Sequence, residues 1–335
     1  MQPFAYSRPR TLEEAIALLG TADGAAAPFL GGTTLLDLAK LGVLTPARLV
    51  DLRALRPDHR AIGLEPDGGI RIGGLATMSE AARHPWLRAE VPALVEALEQ
   101  AASPQIRNMA SIAGNLLQRT RCPYYRDPGW QRCNRRKPGS GCQASAGLAP
   151  SHAVLGVSDA CLASYPGDLA PVLVALEASV VVMGQGGLRS VPLEGLHRQP
   201  GETPERETIL APQELILAVR VPASSCLKRS TFVKLRNRAS YEFAEASAMV
   251  ALDLEGGVVR EARVGLGAVA TVPWRSRAAE AALLGMRPMD AATEAARAAF
   301  SEARVRPDTA HKVEMGRRAL IAAIRQAAAM EIAGA

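Results

Sequence analysis

Aromatic side chains are scarce in this chain: five Phe, five Tyr and three Trp among 335 residues, or 4%. Its cores must be filled by Leu, Val, Ile and Ala, and surfaces for stacking unpaired bases are poorly supplied. Long apolar runs are lacking too. The most apolar stretch, residues 169–183, is broken by Pro171 and Glu177, so no membrane insertion is expected. The opening MQPFAYSRPRTLEEA has no apolar signal core, and no signal peptide is expected in the chain itself. Charge of one sign is not in large excess: 39 Lys and Arg face 33 Asp and Glu, a net +6. Nucleic-acid binders carry a broader basic bias, and no nucleic-acid partner is expected. Paired CxxC motifs are missing, as is the compact ferredoxin run. The GxGxxG dinucleotide fingerprint is also missing, and Asp51 lacks the context of that motif's acid. The histidines at 59, 84, 152, 197 and 311 have no metal-ligand spacing and read as surface or packing residues.

What is present is a folded chain with 48% apolar and 21% charged residues, long enough for two or three domains. Thr11 and Glu14 have capping-box spacing before a short amphipathic helix ending at Gly20. An apolar run, Ala26 to Leu30, leads into Gly31-Gly32-Thr33-Thr34. A helical pattern follows, with Leu35, Leu38 and Leu41 on one face. Residues 48–52 read as a strand, closing a small unit near residue 57. Thr77 and Glu80 repeat the capping-box spacing, and residues 91–102 read as a helix stopped by Ser103-Pro104. Residues 119–165 are irregular and rich in Cys, Pro, Gly and Arg, which marks a functional or disordered segment. Regular structure resumes with a helix near Asp168 and a strand at 179–183. Further strands are expected at 215–221, 231–235, 246–254 and 258–266, and helices from 278 onward.

Two polar loops suit a phosphate. Gly31 and Gly32 let oxygens approach their N–H groups, and Thr33 and Thr34 add hydroxyl donors. A glycine pair before a helix is also commonly just a tight turn. The second segment, Ser103 to Asn115, reads as a loop in which Ser111, Gly114 and Asn115 can close on a pyrophosphate from the other side. Taken singly, Asp168 reads first as a helix N-cap and Lys234 as a solvated strand residue.

Four of the five cysteines share one span: Cys122, Cys133, Cys142 and Cys161, separated by ten, eight and eighteen residues. Cys226 stands apart and reads as a buried or incidental thiol. The spacing leaves three readings open: two disulfides, a zinc ion on four thiolates, or a [4Fe–4S] cluster. Arg119, Arg121, Arg126, Arg132, Arg135, Arg136 and Lys137 would offset the negative charge of a cluster, or form a solvated basic face.

The segments FLGGTTLLDLAKLG, IGGLATMSEAA, ASPQIRNMASIAGNLLQ and GDLAPVLVALEASVV, in this order, resemble the FAD subunit of the xanthine dehydrogenase and aldehyde oxidase family of molybdenum hydroxylases. The resemblance runs from about residue 3 to 330. It implies an α+β chain: a two-subdomain FAD-binding fold of the vanillyl-alcohol-oxidase type over 1–221, then a C-terminal α+β domain over 222–335 with a small sheet and helices. The subdomains would span about 1–57 and 58–221, with an iron–sulfur insertion at 119–165. Carried over, Phe29, Leu30, Gly31, Gly32, Thr33, Thr34, Leu35 and Leu36 form the first FAD phosphate loop. Ser111, Ile112, Ala113, Gly114 and Asn115 form the second, with Ala113 where many relatives have glycine. Asp168 matches an acid near the ribose region, Lys234 a lysine near the flavin, and Ile216 an apolar residue by the flavin ring.

QRTRCPYYRDP, RCNRRKPGSGCQA and HAVLGVSDACLASYPGD resemble the cluster-bearing insertion of the FAD subunit in bacterial periplasmic aldehyde oxidoreductases. By that resemblance Cys122, Cys133, Cys142 and Cys161 ligate a [4Fe–4S] cluster. The implied partners are a molybdenum-cofactor large subunit, a [2Fe–2S] small subunit and an external electron acceptor. The implied role is electron transfer, with no catalytic residue in this chain. The implied location is the periplasm, by co-export with a signal-bearing partner, or else the cytoplasm. The rivals are a stand-alone flavin oxidoreductase of the same fold and a zinc-stabilised basic binding module.

Overall fold

In the computed structural model, which describes residues 1–21 and 26–332, the strands form three sheets. The first holds β1 (Ala5–Ser7), β2 (Ala26–Phe29) and β3 (Arg48–Asp51), all parallel in the order β1-β3-β2. Parallel neighbours need crossovers, and the helices Leu12–Leu19 and Leu35–Lys40 lie in these connections. Thr11 caps the first: its hydroxyl accepts from the Glu14 N–H at 3.2 Å. The Glu14 carboxylate reaches back one residue further than expected, accepting from the Arg10 N–H at 2.8 Å. The second helix is shorter than its pattern suggests. Leu38 is buried, but Leu41 lies past its end and is exposed.

The second sheet is antiparallel. It contains β4 (Ile62–Leu64), β5 (Ile70–Gly73), β6 (Ser179–Gly184), β7 (Gly187–Pro192) and β8 (Leu215–Val221), in the order β4-β5-β8-β6-β7. Val180 and Val182 alternate inward on β6, joining Ile70, Ile72 and Val219. Helices Met78–Arg83, Pro92–Gln100 and Leu169–Ala175 contribute Met78, Leu94, Leu98 and Leu173 to the same core. Each such fully buried aliphatic side chain contributes about 1.5–3 kcal/mol. Thr77 and Glu80 make the full reciprocal capping box.

Two expectations are corrected beyond this point. The helix predicted over 91–102 ends at Gln100, and Ser103-Pro104 starts a new helix, Pro104–Met109. A further helix, Ile112–Leu116, follows at once, so the predicted loop is mostly helical. Both helices are capped by serine, Ser103 accepting from Ile106 N and Ser111 from Gly114 N. Serine favours such positions because its hydroxyl satisfies an otherwise unpaired N–H of the first turn.

The third sheet is also antiparallel: β9 (Ser230–Leu235), β10 (Ala246–Glu255), β11 (Val258–Gly267) and β12 (Trp274–Arg275), in the order β12-β11-β10-β9. It is apolar on both faces. On β10, Met249 and Ala251 join the core of the second sheet, while Ala248, Val250 and Leu252 join a C-terminal core. The long helix Ala310–Ala329 covers that side with Ala319, Leu320, Ala323, Ile324 and Ala327. The same alternation on β9 sends Phe232, and therefore Lys234, toward the second sheet.

Residues 119–165 are largely irregular yet built in. They contain two one-turn helices, Pro123–Arg126 and Gln143–Ala146, and isolated bridges that pair Cys133 with Cys142 and Ser158 with Cys161. Val154 and Leu155 anchor the segment in the C-terminal core.

Candidate cofactor sites

The first polar loop turns sharply after β2. Gly32 has φ +67, a left-handed conformation that strains any side-chain-bearing residue. Gly31 is required by contact instead: a Cβ there would lie 2.0 Å from the Met109 carbonyl oxygen. The absent side chain lets the first loop touch the second. Among the described residues, no protein acceptor takes the N–H groups of Gly31, Gly32, Thr33 or Thr34. These donors line a cavity, so they are available to an anion.

The second segment is different. Ile112 N donates to Ala76 O and Ala113 N to Gly74 O, both at 2.9 Å. Gly114 N is spent on the Ser111 hydroxyl at 3.0 Å, and Asn115 N on Ser111 O at 2.8 Å. Ser111 to Asn115 therefore offer few free backbone donors and act chiefly as a wall. Asn115 keeps one unsatisfied group, Oδ1, which is buried without a partner. A buried unpaired oxygen of this kind can take a donor from water or from a bound molecule.

Two cavities flank these loops and share Thr33, Thr34, Ala110 and Gly114 in their walls. One is about 250 Å³ and mostly apolar, closed by Leu30, Leu52, Leu75 and Ile216. The other is about 520 Å³ and mixed in character, with Asn115, Arg121, Asp168 and Tyr241 beside Met78, Ile106 and Phe243. The two adjoin along the shared residues, and charged side chains line the larger one. Asp168 does not cap the helix it precedes. Its Oδ2 accepts from Lys234 Nζ at 2.7 Å, with the two side chains only 5% and 1% exposed. Lys234 also donates to Gln100 O at 3.1 Å. Burial pushes the Asp168 carboxyl above its ordinary value against the pull of Lys234. Ile216 lines the apolar cavity, away from this pair. The structure brings Asp168 and Lys234 together and leaves Ile216 in the apolar cavity. Phe29, Leu30, Leu35 and Leu36 shape the first loop, and the Leu36 side chain packs where a Gly32 Cβ would project.

Cys122, Cys133, Cys142 and Cys161 all line one small pocket of about 10 Å³, with Tyr124, Tyr125, Arg135 and His152 in its walls. All four thiols are free, so the two-disulfide reading is not realised. Among the described residues, no three His, Cys, Asp or Glu side chains converge closely enough to hold a single metal ion. Burial pushes the Cys122 thiol up to about 12 and raises Cys142 as well. Such thiols ionise only if positive charge arrives with the bound group.

Donors surround the sulfurs. Arg135 Nε donates to Cys161 Sγ at 3.3 Å, and Ala163 N reaches the same atom at 3.5 Å. His152 Nε2 lies 3.2 Å from Cys122 Sγ, and burial pushes its imidazole down to about 4. The buried Tyr125 hydroxyl has no partner. No local pattern marks His152, whose contact with Cys122 spans 30 residues. The seven basic residues are not a uniform counter-charge. Arg135 reaches sulfur, whereas Arg119 and Arg135 pair with Glu207, and Arg121 and Arg126 with Asp37.

Comparison with known proteins gives the following. The family described as "FAD binding domain in molybdopterin dehydrogenase" matches residues 2–224, and "CO dehydrogenase flavoprotein C-terminal domain" matches residues 230–329. The chain is 44% identical over 284 residues to the aldehyde oxidoreductase FAD-binding subunit PaoB of Escherichia coli, covering 84% of this chain and 86% of that one. It is 27% identical over 294 residues to the carbon monoxide dehydrogenase medium chain of Hydrogenophaga pseudoflava, covering 88% and 84%. A solved structure of carbon monoxide dehydrogenase from that organism superposes with a TM-score of 0.74 over 98% of both chains at 27% identity. No helix among the described residues is long and apolar enough to cross a membrane.

Proposed function

The chain belongs to the FAD-binding subunits of the molybdenum hydroxylases, an oxidoreductase family of α+β fold, and from that premise we propose that it is the electron-transfer subunit of an aldehyde oxidoreductase, carrying both FAD and a [4Fe–4S] cluster. Its partners would be a molybdenum-cofactor subunit and a [2Fe–2S] subunit, and it would pass electrons from them to an external acceptor. The 44% identity to an aldehyde oxidoreductase subunit supports the substrate class. The observation that carries the cluster is that four free cysteines, Cys133 and Cys161 buried and Cys122 and Cys142 half-buried, line one pocket.

When bound, the flavin and the cluster supply the redox chemistry, and the protein supplies position and electrostatics. Gly31 to Thr34 would hold the FAD pyrophosphate through their free N–H groups and hydroxyls. Ser111 to Asn115 would close the opposite wall. If Lys234 marks the flavin end, the Asp168–Lys234 pair belongs beside the flavin and its ribityl chain. Ile216, beyond the phosphate loops, then contacts the adenosine half rather than the flavin ring. Pairing fixes the Lys234 ammonium in place and keeps a cation available without a mobile side chain. At the second site Cys122, Cys133, Cys142 and Cys161 would hold the cluster, with Arg135 and Ala163 N donating to Cys161. Hydrogen bonds to sulfur raise a cluster's reduction potential.

The test is a visible spectrum with flavin, iron and zinc analysis of the purified complex. One FAD and about four iron atoms per chain are expected, with bleaching of the flavin bands when an aldehyde is added anaerobically. Zinc without iron would remove the cluster. Turnover of an aldehyde by this chain alone would favour the stand-alone flavin oxidoreductase instead.

A further inference from the structure

One carboxylate joins the cysteine pocket to the phosphate loop. Asp37 lies on the helix Leu35–Lys40, directly after Thr33 and Thr34. Its Oδ2 accepts from Arg121 at 3.0 Å and from Arg126 at 2.9 Å, and its Oδ1 accepts from Arg126 at 3.1 Å. Arg121 immediately precedes Cys122, and Arg126 ends the one-turn helix that follows it. The hydrogen bonds from Arg126 hold the Asp37 carboxyl below its ordinary value. The next residue, Leu38, packs against Tyr125 and Cys133 in a small apolar cluster. Two adjacent residues of the helix are thus gripped by the segment that carries the first two cysteines.

The grip matters because this helix has only six residues. A helix that short does not hold itself in water, and its position is set by what packs on it. The free donors of Gly31 to Thr34 sit on its N-terminal side and move with it. We infer that Asp37 couples the two cofactor sites: with the cysteines loaded, Arg121 and Arg126 are held in place, the phosphate loop is fixed, and FAD binds more tightly. This rests on the two-cofactor function proposed above. By linkage, bound FAD strengthens retention of the cluster by the same factor.

The experiment is a double-mutant cycle on the full chain in its complex, read as FAD affinity by fluorescence titration of the FAD-depleted form, with iron measured on each sample. Cys142→Ser supplies the iron-free background, because Cys142 packs with Ala144, Ala149 and Leu162 rather than with Leu38. Cys142→Ser and Asp37→Asn should each weaken FAD binding on the order of tenfold. The double variant should be no weaker than either single one, and Asp37→Glu should restore much of the affinity. A merely structural Asp37 would give multiplying losses, and that result overturns the coupling. Equal FAD affinity with and without iron also overturns it. Arg126→Gln tests the same contact if Asp37→Asn does not fold. Retention of both cofactors with independent affinities defeats the coupling alone, whereas a chain that binds no FAD or no iron defeats the function beneath it.

Discussion

The cleft and the cysteine pocket solve opposite recognition problems. The cleft spans the two adjoining cavities, and its central donors are main-chain N–H groups from Gly31 to Thr34. The pocket is small, and every candidate ligand is a side chain from one span of 40 residues, 122–161. A phosphate asks only for N–H groups in the right turn, which many sequences supply, so its motif is diffuse. A cluster asks for thiolates, which one residue type supplies, so its positions can be named even when spacing leaves the metal open. Backbone sites should therefore fail through changes of shape, and side-chain sites through changes of chemistry.

The largest expected effect comes from the place where the cleft departs from this rule and uses charged side chains. Lys234→Met leaves the Asp168 carboxylate buried without its cation. Removing one partner of such a pair costs about 3–5 kcal/mol. Chemical denaturation should show that loss, and Asp168→Asn with Lys234→Met should recover part of it. A loss below 1 kcal/mol would mean that the pair is hydrated in solution. Gly31→Ala comes next. Its methyl would meet the Met109 carbonyl, a backbone atom that cannot rotate away. Overpacking of this kind costs about 3 kcal/mol at the upper end. FAD affinity should fall on the order of a hundredfold in a fluorescence titration. Full FAD affinity would show that the two loops need not touch.

The sequence revealed much of the scaffold because local rules govern it. Thr77 with Glu80 is a capping box by spacing and in fact, and strand β8 has its expected bounds. Residues 103–115 fold as two short helices where a loop is expected, because Ser, Pro, Asn and Gly mark loops and helix starts alike. Here Ser103 and Ser111 are caps. The Asp168–Lys234 pair spans 66 residues, and the Asp37 contacts span 84 and 89. No local pattern encodes such separations. Only the alternation of β9, which puts Lys234 on the face of Phe232, hinted that this lysine is buried.

Smaller effects belong to the shell of the cysteine pocket. Arg135 is 7% exposed, bridges Glu207 at 2.7 Å and donates to Cys161. Arg135→Met should cost about 1–3 kcal/mol, because Arg119 still pairs with Glu207 at 2.8 Å. If the pocket fails through chemistry, iron is retained but its midpoint potential falls, since a donor to sulfur is gone. An unchanged potential in a protein-film or EPR-monitored titration would remove Arg135 from the tuning shell.

The smallest effect is a pH slope. His197 sits against Tyr165 at the end of the cysteine-bearing segment, and its Nε2–H donates to Leu116 O at 2.9 Å. Burial holds its imidazole below the ordinary value, so the folded chain resists protonation there. Below about pH 6.5 the unfolded chain takes up a proton that the folded one refuses. Stability is therefore complete above that pH and falls as the solution is acidified toward the lower folded value. Chemical denaturation at pH 7 and pH 5 should show lower stability at the more acidic value. His197→Gln should flatten that part of the profile while keeping a donor for Leu116 O. An unaltered slope would assign the acid sensitivity to other groups.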